Sequence, residues 1–195
     1  AWFKGNYQQR NLKMSQIYHA ANYVFWQSKF SKKAADKFLG ERITEGEILY
    51  NAVDTKLFIP NKNYNNIFTF LTTGNISKTD NYRISQILCA FKKVLKSNRK
   101  VKLIIAGNLE DKKYIMSKIL EMRMQEKITL LESFKQIDAP KIYQLADAYI
   151  TINFQDNCPS AVIEAMSCGL PILYSSSGGI PELVDEYSGI GLPVK

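Results

Sequence analysis

The stretch that decides the reading is Asn153-Phe154-Gln155-Asp156-Asn157-Cys158-Pro159-Ser160-Ala161-Val162-Ile163-Glu164-Ala165-Met166-Ser167-Cys168-Gly169-Leu170-Pro171. An apolar run, Ala148–Ile152, precedes it, and Pro171–Tyr174 follows. Between them the pattern predicts a short helix over Ser160–Cys168. Pro159 suits the first helical position, because its φ is preset and no N–H is needed there. Gly169 suits the left-handed position after the helix, and Pro171 lies just beyond, where helices stop. The first N–H groups of such a helix have no intrahelical partner, so its start is a ready anion site. Asp156 precedes the helix and Glu164 lies about one turn inside it. Glu164 sits among Ala161, Val162, Ile163, Ala165 and Met166, where a carboxylate is costly to bury without hydrogen-bond donors. Ligand hydroxyls would supply them. The competing reading is a solvent-facing Glu164 paired with a lysine.

Working outward, strands and helices alternate. Strands are predicted at Ile67–Thr72, Val101–Ala106, Ile128–Leu131, Ala148–Ile152 and Pro171–Tyr174. Helices are predicted at Ile84–Lys96, Lys112–Met124, Ala139–Leu145, Ser160–Cys168 and Pro181–Tyr187. Unbroken apolar runs such as Leu103-Ile104-Ile105-Ala106 mark strands buried on both faces. The alternation predicts an α/β fold, a Rossmann-like parallel sheet with helices on both faces. Ligands of such sheets bind at the carboxyl ends of the strands. Upstream, a helix around Asn11–Ala21, a strand at Tyr23–Trp26, a helix from Ser28 or Ser31 to Gly40 and a strand at Ile48–Tyr50 are too little to close a domain. The Asn-rich stretch Asn61–Asn66 reads as a linker or surface loop.

Composition agrees with a folded domain. The 195 residues are 46% hydrophobic and 23% charged, enough to bury roughly 70% of the unfolded surface without a staple. Cys89, Cys158 and Cys168 form no CxxC pair, which argues against a disulfide framework or zinc site and for a reducing compartment. Twenty-six Lys+Arg against 18 Asp+Glu give +8, which suits an anionic partner. No apolar run approaches the roughly 18 residues of a membrane span.

Two further loops can carry chemistry. Ser175-Ser176-Ser177-Gly178-Gly179-Ile180-Pro181-Glu182 again joins a strand to a helix, with glycines that permit positive φ and close backbone approach. Thr73-Gly74-Asn75-Ile76-Ser77-Lys78 to Arg83 places Gly74 at a strand end, with Lys78 and Arg83 as candidate counter-charges. Neither a P-loop nor Gly-x-Gly-x-x-Gly occurs. The single histidine, His19, lies outside the main domain, and no Asp-x-Asp pair exists, so no metal site is expected. Scattered aromatics read as core rather than base-stacking platforms.

Three passages together resemble the GT-B glycosyltransferases of the large retaining family 4. Asp156 to Pro171 resembles that family's donor-site signature of two acids separated by seven residues, followed by Glu-Ala-Met-x-x-Gly-x-Pro. Gly178-Gly179-Ile180-Pro181-Glu182-Leu183-Val184 resembles the segment after it. Ala21-Asn22-Tyr23-Val24 to Ser28, then Tyr50-Asn51-Ala52-Val53-Asp54 to Phe58-Ile59-Pro60, resembles the end of the N-terminal domain and the hinge. The resemblance implies that residues 1–59 trail from an acceptor-binding domain that begins upstream. Residues 60–195 would form the donor domain, cut short at its end.

The resemblance also implies roles. Glu164 would hold the ribose hydroxyls of a nucleotide-sugar donor (UDP-, GDP- or ADP-linked), and Asp156 the sugar hydroxyls, so these two are the candidate catalytic pair. The backbone from Asn157 through Cys158, Pro159 and Ser160 to Ala161 would hold the diphosphate, without a metal or other cofactor. Ser133 and Phe134 would lie near the base. Gly74, Asn75, Lys78 and Arg83 would line the phosphate side. Here Asn75 stands where the family usually has Arg, and either Lys78 or Arg83 can serve as the nearby cation. Asp156 replaces the usual Glu, one methylene shorter. The implied enzyme is cytoplasmic, uses a glycan or lipid-linked acceptor, and binds no nucleic acid, with peripheral attachment to the inner membrane face left open. The 195-residue stretch by itself would turn over little. The rivals are a GT-B nucleotide-sugar epimerase and a non-catalytic basic module binding nucleotide or membrane.

Overall fold

A strand buried on both sides must place apolar side chains in both directions, and the run Val101–Ala106 does so. In the computed structural model, which describes residues 7–61 and 66–194, Val101, Leu103 and Ile105 enter one core while Ile104 and Ala106 enter another. The elements run α1 (Tyr7–Ala20), β1 (Val24–Trp26), α2 (Lys29–Leu39), β2 (Gly46–Ile48), β3 (Phe68–Thr73), α3 (Asn81–Ser97), β4 (Val101–Ala106), α4 (Lys112–Glu121) and β5 (Ile128–Leu131). They continue with α5 (Ala139–Tyr143), β6 (Ala148–Thr151), α6 (Ser160–Ser167), β7 (Ile172–Ser175), α7 (Ile180–Leu183) and β8 (Gly189–Leu192). The centre of the expected linker, 62–65, lies outside the described residues, as do residues 1–6 and Lys195.

Strands β3 to β8 form one six-stranded parallel sheet in the order β5-β4-β3-β6-β7-β8. Counted from β3 this is 3-2-1-4-5-6, the doubly wound order whose direction reverses between β3 and β6. Helices α3 and α4 cover one face through Ile84, Ile87, Leu88, Phe91, Ile115 and Ile119. On the other, α5, α6 and α7 contribute Tyr143, Val162, Ala165 and Ile180, joined by Phe58 from the segment before the sheet. The Rossmann-like expectation therefore holds. Among the described residues no helix is long and apolar enough to cross a membrane.

Several boundaries differ from the sequence reading, each for a local reason. Pro159 is the N-cap, one residue outside α6, with φ −69° and ψ 113°. Helix α4 stops at Glu121 rather than Met124. Arg123 takes φ 56°, its N–H bonds Leu120 O and the Met124 N–H bonds Ile119 O, a Schellman ending built without glycine. The same ending closes α6 at Gly169 (φ 76°), as expected. Helix α7 spans only Ile180–Leu183, because the chain bends away into an Asp185–Ser188 turn held by the Asp185 carboxylate. Strand β8 was not expected. Gly189-Ile190-Gly191-Leu192 lacks strand-forming residues at alternate positions, yet it pairs with β7 throughout. A Cβ at Gly191 would stand 2.5 Å from Ser176 Oγ, so glycine is what allows this edge to pack.

The residues before the sheet form a separate two-stranded parallel unit, β1 with β2, flanked by α1 and α2. Ser28 caps α2 with a capping box to Ser31. His19 is exposed, with Nε2 3.0 Å from Leu39 O.

Candidate active site

Glu164 answers the question its apolar helix poses. Its Oε2 accepts from the Tyr143 hydroxyl at 2.7 Å and its Oε1 from Gln136 Nε2 at 2.6 Å. Its partners are thus a phenol and an amide, not a lysine. Tyr143 is 1% exposed and stands within 3.3 Å of Thr73 Oγ1, which lies 2.9 Å from the Tyr149 hydroxyl. Thr73 ends β3 and Tyr149 lies in β6. The carboxylate is therefore wired to the switch point of the sheet. Burial pushes the Tyr143 phenol far above the usual tyrosine range, helped by neighbouring Tyr149 and Glu164. Burial likewise lifts Tyr149 to about 12. Both remain neutral hydrogen-bonding groups near neutrality. Burial first and Glu164 second push the Cys168 thiol up to about 11, so it is no ready nucleophile.

On the other side of the same strand ends a polar file runs Asp80, Arg83, Asn153, Asp156. Arg83 pairs with Asp80 at 3.2 Å and donates to Asn153 Oδ1, while Asn153 Nδ2 donates to Asp156 Oδ2 at 3.1 Å. Arg83 is largely covered, with 19% of its side chain exposed. It reaches from α3, beyond β3, to the loop beyond β6, and so crosses the switch point.

The loop 153–159 is shaped by its neighbours. The Gly179 N–H bonds Asp156 O at 2.8 Å, Gln155 N–H bonds Ser177 Oγ at 3.0 Å, and Ser175 Oγ bonds Asn153 O at 2.8 Å. A Cβ on Gly178 (φ 70°) would stand 2.2 Å from Asp156 O, and one on Gly179 1.9 Å from Asn157 O. The two glycines thus let the β7 loop lie directly on the β6 loop. The segment before the sheet grips the same loop. Asn51 Nδ2 donates to Cys158 O at 2.6 Å, and the Asn51 N–H meets Cys158 Sγ at 3.3 Å. Glu182 accepts from the Lys29 and Phe30 N–H groups, each at 2.7 Å, at the start of α2, and from the Tyr50 hydroxyl at 3.0 Å. A carboxylate at a helix N-terminus is favourable for the unpaired N–H groups and the dipole there.

The predicted residues thus separate into groups. Glu164, Arg83 and Asp156 stand at the carboxyl ends of β3 and β6, with Asn157, Cys158, Pro159, Ser160 and Ala161 leading into α6. Cys158 and Pro159 are buried, while Asn157 and Ser160 are exposed. Gly74 and Asn75 leave β3 exposed. Lys78 is exposed on the rim, its N–H donating to Glu110, while Asn75 accepts from Asn108. Phe134 is half-buried against the core cluster that includes Tyr143, and Ser133 is exposed two residues after β5. Sequence reasoning missed Gln136 and Tyr143, the partners of Glu164, and Gly107, where a Cβ would stand 2.1 Å from Gly74 O. Among the described residues no group of His, Cys, Asp and Glu could hold a metal. A cavity lined by Leu95, Arg99, Arg123, Gln125, Glu126 and Lys127 lies at the opposite, amino end of β4 and β5, away from every predicted residue.

Comparison with known proteins agrees with this layout. The fold is that of HepE from Anabaena solved with UDP, at a TM-score of 0.79 and 18% identity, covering 95% of this chain and 54% of that one. It is also that of sucrose-phosphate synthase from Thermosynechococcus elongatus, at a TM-score of 0.80 and 16% identity, covering 98% and 51%. The uncharacterized glycosyltransferase MJ1607 of Methanocaldococcus jannaschii is 27% identical over 108 residues, 55% of this chain and 27% of that protein. The chain thus spans about half of these solved chains and about a quarter of this relative. The description Glycosyl transferases group 1 matches residues 54–195, from the hinge through the whole six-stranded sheet, and the chain belongs to that family of GT-B glycosyltransferases.

Proposed function

We propose that this chain carries the donor half of a retaining glycosyltransferase that takes its sugar from a nucleoside diphosphate. Residues 60–195 are the donor-binding domain. Residues 1–59 are the end of an acceptor-binding domain and its hinge, for which the docking of Asn51 and Glu182 gives support. The observation that carries the reading is Glu164, an ionisable side chain in an otherwise apolar helix, held by donors at the sheet's switch point. Each carboxylate oxygen accepts one bond within the protein and keeps a second lone pair. That pair of acceptors suits the two adjacent hydroxyls of a ribose.

The diphosphate then lies at the start of α6, where unpaired N–H groups and the helix dipole favour negative charge. Arg83, not Lys78, is the proposed counter-charge, since it crosses the switch point while Lys78 stands on the rim. The reaction breaks the bond between the anomeric carbon and the diphosphate and forms one from that carbon to the oxygen of an acceptor hydroxyl on the same face, the hydroxyl proton leaving with the departing diphosphate. Charge grows on the leaving diphosphate, so fixed donors there lower the barrier more than they stabilise the bound ground state. Asp156, held by Asn153, accepts from sugar hydroxyls. The acceptor is a glycan or a lipid-linked glycan, approached from the cytoplasmic side. HepE, a structural neighbour, has been solved with UDP-glucose, which makes that donor the first probe.

The test is calorimetric titration of UDP, GDP, ADP and UDP-glucose into the chain and into Glu164→Ala. One of these ligands should bind, and the variant should lose about tenfold or more of that affinity, the scale of hydrogen bonds to a charged acceptor. Equal affinity in both proteins would contradict the ribose role.

A further inference from the structure

We infer that Tyr143 and Gln136 are the positioning residues that turn Glu164 into a reader of ribose over deoxyribose. This inference rests on the donor-site reading above and adds to it what fixes the carboxylate. The two partners are built differently. Tyr143 is a wall. Its hydroxyl donates to Glu164 Oε2 at 2.7 Å, its ring is 1% exposed, and it packs 6.0 Å from the Phe58 ring and 5.8 Å from the Tyr149 ring, centroid to centroid. Thr73 stands behind it at the end of β3, so the phenol is located by both strands of the switch point. Gln136 is a latch. It is exposed, lies on the short 3-10 turn Gln136–Asp138 after β5, and holds Glu164 Oε1 from the open side.

A free Glu side chain has many rotamers, and ordering it on binding costs conformational freedom. Tyr143 and Gln136 meet that ordering cost before any ligand arrives, because each oxygen is already tied to a separate element. The phenol, neutral at all ordinary pH values, gives its one proton to Glu164 Oε2, and its oxygen is left to accept from Thr73 Oγ1. With one bond accepted from Tyr143 and one from Gln136, each Glu164 oxygen keeps a lone pair for a ligand hydroxyl. A deoxyribose leaves one of those acceptors without a partner, and a preorganised site registers that loss more sharply than a loose one. Gln136 follows Ser133 by three residues and Phe134 by two, so the latch belongs to the same stretch of chain as the proposed base-side loop.

The experiment is a comparison of UDP with 2′-deoxy-UDP, and of GDP with 2′-deoxy-GDP, by calorimetry on the 195-residue chain. The proteins are the wild type, Tyr143→Phe, Gln136→Ala and Glu164→Gln. Phe keeps the ring and its packing, and Gln136 is exposed, so neither variant depends on a buried shape change. The wild type should prefer the ribose form. Tyr143→Phe should shrink that preference roughly five- to tenfold, and Gln136→Ala roughly two- to fivefold, the range for one bond to a charged acceptor. A merely structural role would lower the melting temperature and weaken both nucleotides equally. An unchanged ratio in both Tyr143→Phe and Gln136→Ala, with Glu164→Gln losing its preference, would overturn this inference and leave the donor-site reading standing. An unchanged ratio in Glu164→Gln, or no binding of either nucleotide to the wild type, would overturn both.

Discussion

The loops that leave β3 and β6 stand side by side at the switch point, and the chain builds them in opposite ways. The β6 loop is braced from three directions. Gly179, Ser177 and Ser175 hold it from β7, Asn51 holds it from the hinge, and Arg83 reaches it from α3. The β3 loop is tied chiefly to its neighbour after β4, through the Ile76–Leu109 bridge, Asn108 to Asn75, and the Lys78 N–H to Glu110. One loop is a fixed frame and the other a rim. The difference teaches where the rigid half of the site lies: with α6, Asp156 and Glu164, not with the exposed residues after Thr73. Rigidity matters there because preorganised donors act on a developing charge without rearranging at the moment of reaction.

The largest expected effect breaks the frame. Gly178→Ala adds a Cβ 2.2 Å from Asp156 O at a residue with φ 70°, so strain and clash act together. We expect a loss of about 3 kcal/mol of stability in urea unfolding. Gly74→Ala, on the rim loop, meets nothing within 4 Å and carries backbone strain alone at φ 151°. It should cost about 1 kcal/mol. Equal losses for the two would erase the contrast between frame and rim. A smaller effect sharpens the contrast in charge. Arg83→Ala should weaken UDP about tenfold, the scale of a charge-assisted bond. Lys78→Ala should change it less than about twofold, as expected for an exposed, solvated cation. Calorimetry at one fixed salt concentration reads both, and a larger loss for Lys78 would reverse the assignment.

The contrast also explains what was legible in the sequence. The frame was readable because its signals are local. A proline before the helix, a glycine after it and a carboxylate among apolar residues lie within twenty positions. Strands β4 and β5 were readable to the residue for the same reason, as short, mostly apolar runs interrupted only by Lys102 and Thr129. What holds the frame was not readable. Asn51 meets Cys158 across 107 positions, Glu182 meets Phe30 across 152, and Tyr143 meets Glu164 across 21. No periodicity encodes such pairs. Arg123 ending α4 in a left-handed conformation and the glycines of β8 escaped notice because the residue types point the other way, and tertiary packing overrides them. At the rim, the choice between Lys78 and Arg83 was open in the sequence because both follow Gly74 within ten residues. The fold separates them, with one exposed and the other reaching Asn153.

The central claim is that the ligand enters at the carboxyl ends of β3 and β6. It is tested most directly by following backbone amide signals by NMR during titration with UDP. The account predicts that the amides of Asn157, Cys158, Ser160, Ala161 and Glu164 shift, with Gly74 and Gln136, while Arg99, Arg123 and Lys127 at the opposite end of the sheet stay still. Shifts centred on Arg99, Arg123 and Lys127, with the α6 amides unmoved, would contradict it.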